Sequence, residues 1–204
     1  MKKEILSIII VAQMLCLTSL GMAIDTVPRD IEDETLFRAK PRVGAFLSPT
    51  IKFSEINDQT AVLIGGSAGF ILNRNFVIGG AGYGLVNEVE GNMPERRLLQ
   101  FGYGGLLLGY INRSRKLVHL SLHSLIGGGG LCWRTRYYND WYDALFVIEP
   151  GVDVMVNVTK SFRIGLGGSY RFVYGEDYAR LVAGVGNEEI RGPAASLTFK
   201  FGRF

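Results

Sequence analysis

After residue 23 the chain lacks any apolar run approaching the roughly 18–20 residues of a membrane helix. Cysteine is scarce as well. Of 2 in the chain, Cys16 lies in the opening segment, so only Cys132 remains beyond it and no internal disulfide is expected there. Lys and Arg form no block and no basic helix, and the net charge is only +3, which argues against a nucleic-acid partner. The 2 histidines, His119 and His123, have no third metal ligand within sequence reach. The glycines at 127–130 precede no Lys-Ser or Lys-Thr pair and open no helix, so they are not a phosphate loop. No cofactor and no metal are expected.

What is present starts with an address. Residues 1–23 combine a basic start, an apolar middle and small residues at the −3 and −1 positions of a cut after Ala23. That is the pattern of a cleaved signal peptide. An uncleaved anchor is the competing reading. A lipidated Cys16 is disfavoured because Gln13-Met14-Leu15 lacks the small residue expected beside it. Residues 24–40 are polar and acidic and read as a periplasmic lead-in, with a plug or partner-binding arm as the other possibility.

From residue 41 onward the chain is rich in glycine (27 of 204 overall) and aromatics, with a mean hydropathy of +0.19. The clearest stretch is 144–174. Ala144, Phe146, Ile148, Pro150, Val152, Val154, Val156 and Val158 alternate with Glu149, Gly151, Asp153 and Asn157. After Thr159-Lys160-Ser161, Phe162, Ile164, Leu166, Tyr170, Phe172 and Tyr174 alternate with Arg163, Gly165, Gly167, Ser169 and Arg171. A repeat of two is a strand and not a helix. Each arm runs about a dozen residues, long for a soluble sheet and sufficient for a tilted membrane strand of about 9–11.

The pattern recurs at about 42–54, 60–72, 76–86, 98–110, 116–130 and 191–204, giving eight strands. Connections at 73–75, 112–115 and 159–161 are tight; those near 54–59, 87–97, 131–143 and 175–190 are longer and more polar. The expected fold is therefore an all-β, eight-stranded antiparallel up-and-down transmembrane barrel over 41–204, with short periplasmic turns and longer outer loops. In the third strand the apolar parity slips from Phe76 and Ile78 to Ala81, Tyr83 and Leu85, which predicts a bulge at Gly79-Gly80. In the fourth, Leu99, Phe101, Tyr103 and Leu107 are read as outward.

A soluble lipocalin-like barrel is the rival. It would place the apolar face inward and a dense charged face in water. Here the polar faces hold Gly, Ser, Thr and isolated charges, which suit a narrow lumen. Arg42, Lys52, Glu149, Asp153, Arg163 and Arg171 are the candidates for ion pairs across it. If Thr159-Lys160-Ser161 is a three-residue loop, Asn157 stands opposite Arg163, Asp153 opposite Gly167 and Glu149 opposite Arg171. That register predicts a Glu149–Arg171 pair; a loop of Val158-Thr159-Lys160 would set Glu149 opposite Ser169 instead.

The closing LeuThrPheLysPheGlyArgPhe, with Phe199, Phe201 and Phe204, resembles the C-terminal assembly signal of bacterial outer-membrane proteins. The run at 148–173 is similar to strands of small outer-membrane barrel proteins of the Bacteroidetes type, which in turn resemble OmpA/OmpX-like eight-stranded barrels. The resemblance implies a Gram-negative outer membrane, insertion by the barrel-assembly machinery and contact with lipopolysaccharide. It brings no catalytic motif. Phe204 is out of step with the outward parity of Phe199 and Phe201.

Three constellations bear on function. Trp133, Tyr137, Tyr138, Trp141 and Tyr142, in the expected third outer loop, fit an interfacial aromatic girdle or a binding surface for an extracellular ligand. His119, Ser121 and Glu149 resemble the His-x-Ser pair and carboxylate of outer-membrane lipid A deacylases, but would face a lumen that acyl chains do not enter. A diffusion pore is disfavoured because eight strands enclose a lumen that side chains fill. The expected protein is a structural or surface-interaction barrel and not an enzyme.

Overall fold

The computed structural model describes residues 42–89, 98–134, 139–175 and 187–204. The segments expected to be a signal peptide (1–23) and a lead-in (24–40) lie outside them. Eight strands follow in chain order: β1 (Val43–Ile56), β2 (Gln59–Leu72), β3 (Phe76–Leu85), β4 (Leu98–Asn112), β5 (Val118–Arg134), β6 (Asn139–Asn157), β7 (Phe162–Gly175) and β8 (Gly192–Gly202). One helical turn, α1 (Asn187–Ile190), precedes β8. Each strand pairs antiparallel with the next, and β8 closes on β1 through Leu47↔Phe201, Thr50↔Thr198 and Ile51↔Leu197. Closure leaves no sheet edge unpaired.

Turn chemistry decides where strands end. At one end of the barrel Asn73, Arg74 and Arg113 adopt positive φ in the tight β2–β3 and β4–β5 connections. At the other end, Asn57 and Asp58 both have positive φ, and Ile56 pairs with Gln59. This two-residue reversal fits a type I′ hairpin turn, whose twist matches that of the strands. The connection expected as a longer loop at 54–59 is thus tight, because Asn and Asp tolerate the left-handed region. The β5–β6 hairpin also outruns its expected loop at 131–143. Pairing continues to Arg134↔Asn139 after one shift at Cys132/Trp133, with Trp141 the extra residue.

The two faces of the wall differ sharply. Leu166 is 66% exposed on the outside and Leu47 60%, whereas Lys52, Glu149 and Arg171 are buried inside at 3%, 1% and 0%. In β1, β2 and β5 to β8 the inward and outward sets are those the alternation predicts.

In β3 and β4 they are not. No bulge interrupts β3; its pairing with both neighbours runs unbroken. Ala81, Tyr83 and Leu85 simply point inward, and Gly80, Gly82 and Gly84 occupy the outer positions. Leu99, Phe101, Tyr103 and Leu107, expected outward, are buried in the lumen. They join an apolar core with Leu63, Leu131, Leu145, Val147 and Val173. An all-apolar strand has no polar face to fix its phase, so packing in the lumen decides it.

Candidate functional site

The lumen is where the described residues concentrate chemistry. β1 alternates, so Lys52 points inward; β6 alternates, so Glu149 does too. The two meet at 2.5 Å. The Tyr103 hydroxyl donates to the other carboxylate oxygen, and Ser169 Oγ donates to Oε1 at 2.6 Å. Lys52 Nζ also sits 3.5 Å from the centre of the Tyr83 ring. A buried carboxylate is tolerated only when its acceptors are filled, and these three donors fill them.

Three further clusters flank this centre. Toward the short turns, Asp153 pairs with His123 Nδ1 at 3.2 Å and accepts from Ser196 at 3.5 Å. Gly167, opposite on β7, leaves the space that the Asp153 carboxylate fills; a Cβ there would overlap it. Toward the longer connections, Arg171 donates through Nε to the Ile190 carbonyl (3.0 Å) and through Nη2 to Ser54 (3.2 Å). Its guanidinium lies against the Phe101 and Tyr103 rings. At the short-turn mouth, Arg163 lies 3.6 Å over the Phe204 ring and donates to the Ser114 carbonyl at 3.4 Å. Lys200 is buried beside Phe46. Between Lys52, Lys200, His123, Asp153 and Ser121 only a cavity of about 30 Å³ remains, room for one or two waters.

The expected register is present: Asn157 faces Arg163 and Asp153 faces Gly167, with Ile148↔Phe172 and Gly151↔Ser169 bracketing Glu149. The expected Glu149–Arg171 pair is not formed. Lys52, Tyr103 and Ser169 converge on the carboxylate, while Arg171 extends to α1. Arg42 is not luminal either; it precedes β1 and is exposed at the short-turn rim. Tyr103 is not legible as a luminal donor from the sequence, because both phases of β4 are apolar. Phe204 falls on the inward parity, which accounts for its being out of step, while Phe201 is half exposed outside and stacks on Phe162.

His119, Ser121 and Glu149 are not assembled into a catalytic unit. His119 Nδ1 contacts the Lys116 carbonyl and Nε2 lies 3.5 Å from Arg163. Ser121 lines the small cavity, and Glu149 is engaged by other donors. Among the described residues, no group of three His, Cys, Asp or Glu could hold a metal. Of the aromatic candidates, Tyr137 and Tyr138 lie outside the described residues. Trp133, Trp141 and Tyr142 belong to the extended β5–β6 hairpin and not to a loop.

No protein-family model matches the chain, and no curated protein matches it in sequence. Among solved structures it is similar to Neisserial surface protein A, with a TM-score of 0.58 and 10% identity over 81% of this chain and 99% of that one. A looser likeness, TM-score 0.48 and 11% identity, covers 81% of this chain and 100% of Ail, the attachment invasion locus protein of Yersinia pestis. At these identities the likeness is one of fold.

Proposed function

We propose that this chain is an integral outer-membrane barrel of a Gram-negative bacterium, structural or surface-interacting in role, with its lumen plugged by its own side chains. The observation that carries the reading is the inverted polarity of the wall, from Leu166 at 66% exposure outside to Glu149 at 1% inside. Water disfavours a continuous belt of exposed Val, Leu and Phe, whereas lipid accepts it. The shared fold with a Neisserial surface protein supports the same address. In this reading the short turns and the C-terminal end of β8 face the periplasm, and the longer connections face outward toward lipopolysaccharide and any extracellular ligand. The closing Phe199, Phe201 and Phe204 serve the barrel-assembly machinery, as in the small Bacteroidetes-type barrels that the sequence resembles. A pore is disfavoured by a lumen whose central cavity is about 30 Å³. A lipid A deacylase is disfavoured by a His119 that contacts Arg163 and not Ser121.

Single-cysteine labelling in vesicles with a membrane-restricted probe tests the reading. Reaction at 166 and 172 but not at 167 and 169 is expected. The reverse pattern would replace the membrane barrel by a lipocalin-like one.

A further inference from the structure

Among the described residues, every connection at the short-turn end carries a cation. Arg42 precedes β1, Arg74 lies in the β2–β3 turn, Arg113, Arg115 and Lys116 in the β4–β5 turn, Lys160 in the β6–β7 turn, and Arg203 follows β8. None of these connections holds an Asp or Glu. The other end is different: Glu55, Asp58, Glu88, Glu188 and Glu189 stand there with Arg191.

Three of these arginines are tied to one place by the backbone. Asn73 N–H donates to the Arg42 carbonyl and Arg203 N–H to the Ala45 carbonyl, both at 2.9 Å. Arg74 sits in the turn that follows β2, where both Asn73 and Arg74 have positive φ. Together Arg42, Arg74 and Arg203 line a cleft of about 290 Å³ with Val43, Ile71 and Phe204. Arg74 also feels the charges of Arg115, on the neighbouring turn, and more weakly of Arg42 within the cleft. An anion in the cleft would sit among these positive charges. Next to the cleft the outer belt is apolar and exposed. Val43 pairs with Leu72 and Leu72 with Phe76; Phe70 stands one step further along. Val43, Phe70 and Phe76 are all about half exposed.

We propose that this cleft binds the headgroup phosphate of an anionic phospholipid, with the acyl chains lying along Val43, Phe70 and Phe76. The inference rests on the membrane reading above, which puts the cleft at the level of the inner leaflet's headgroups. Guanidinium groups match phosphate oxygens in bidentate geometry. Among the described residues, the short connections at this end offer no carboxylate side chain as a partner for the ammonium of a zwitterionic lipid. Free inorganic phosphate would make no use of the apolar belt.

The test uses the full-length barrel in non-ionic detergent, titrated separately with short-chain phosphatidylglycerol, phosphatidylcholine or inorganic phosphate, with bound species counted by native mass spectrometry. Because no bilayer is involved, its failure leaves the labelling pattern at 166–172 untouched. One phosphatidylglycerol should be retained in preference to phosphatidylcholine. Each arginine near a charged headgroup is worth about fivefold in affinity, so Arg42→Gln/Arg74→Gln/Arg203→Gln should weaken retention on the order of 100-fold. Lys116→Gln/Lys160→Gln, on the same rim but outside the cleft, should change it by less than about twofold for a localised site. Heat-modifiable gel mobility confirms that each variant is folded; if the triple variant is not, Arg74→Gln alone should show the fivefold loss. Four results would overturn the proposal: equal retention of both lipids, no loss in the arginine variant, an equal loss in the lysine variant, or displacement of the lipid by equimolar inorganic phosphate.

Discussion

The wall built from β6, β7, β8 and β1 and the wall built from β3 and β4 share one barrel but divide their chemistry in opposite ways. The first puts Val152, Val154, Leu166 and Leu197 outside and its small and charged groups inside (Lys52, Glu149, Asp153, Gly167, Ser169, Lys200), with Leu145, Val147 and Val173 adding to the core toward the longer connections. The second puts its rings inside and, along its middle, only glycine outside; Phe76, Ile78, Leu106 and Leu108 are exposed nearer the short turns. Tyr83, Phe101 and Tyr103 stack in the lumen with ring centres 5.3–5.5 Å apart, while Gly80, Gly82, Gly84, Gly102 and Gly104 form the outer positions. The walls need each other. A narrow lumen holding Lys52, Glu149 and Arg171 has little water to solvate them, and the aromatic wall supplies ring faces and the Tyr103 hydroxyl in its place.

The largest expected effect tests that dependence. Glu149→Gln leaves Lys52 buried against the rings without its counter-charge, so it should cost about 3–5 kcal/mol, as for removing one partner of a buried pair. Urea unfolding in lipid vesicles measures it. A double-mutant cycle of Lys52→Met with Glu149→Gln should show strong coupling. The same cycle with Arg171→Gln in place of Lys52→Met should show clearly weaker coupling, passed only through the shared Tyr103. Coupling of Glu149 to Arg171 and not to Lys52 would mean that the hairpin row, and not the opposite wall, supplies the carboxylate's partner.

The same contrast explains what the sequence made legible. Where one face is Glu, Asp, Arg and Ser and the other Val and Phe, a one-residue slip would bury every wrong side chain, so phase and register are both readable. Parity narrows the β6–β7 register to two, and the one with Thr159-Lys160-Ser161 as the loop is present. In LeuLeuGlnPheGlyTyrGlyGlyLeuLeuLeuGlyTyrIle of β4, both phases are apolar, and the choice falls to how lumen volume is filled across eight strands. Partner choice in the lumen escaped for a related reason. Opposition on neighbouring strands is local, whereas Lys52 reaches Glu149 across the barrel from 97 residues away.

A second, smaller effect checks the phase of the aromatic wall. Leu166→Arg should cost about 2–4 kcal/mol because it sets a charge in lipid near mid-membrane. Gly82→Arg should cost a similar amount, although it replaces no side chain, because Gly82 faces outward between Ala81 and Tyr83. Urea unfolding in vesicles compares the two directly. A cheap Gly82→Arg would place position 82 in the lumen, restore the bulge at Gly79-Gly80, and make the two walls alike.

The smallest effect separates two adjacent glycines of β5, where the aromatic wall continues. Gly127 and Gly128 share composition and strand but not surroundings. A Cβ on Gly127 would run into the Gly104 carbonyl and lie 2.5 Å from Gly105 Cα, so the backbones must part to admit it. A Cβ on Gly128 would meet nothing nearer than the Leu145 carbonyl at 3.5 Å, an ordinary contact, and neither residue needs a positive φ. Gly127→Ala should therefore destabilise by about 1–3 kcal/mol, as overpacking does. Gly128→Ala should fall between neutral and a gain of roughly 0.5–1 kcal/mol, since glycine in a strand interior gives up backbone entropy that alanine does not. Both are read as shifts in the urea midpoint in vesicles, with unchanged slope confirming that the unfolding reaction is the same one. Equal losses at both positions would mean that the space outside Gly128 is filled in the folded state by something other than this chain's own atoms and bulk lipid. The outer glycines of the aromatic wall would then be selected for contact and not merely permitted by the fold.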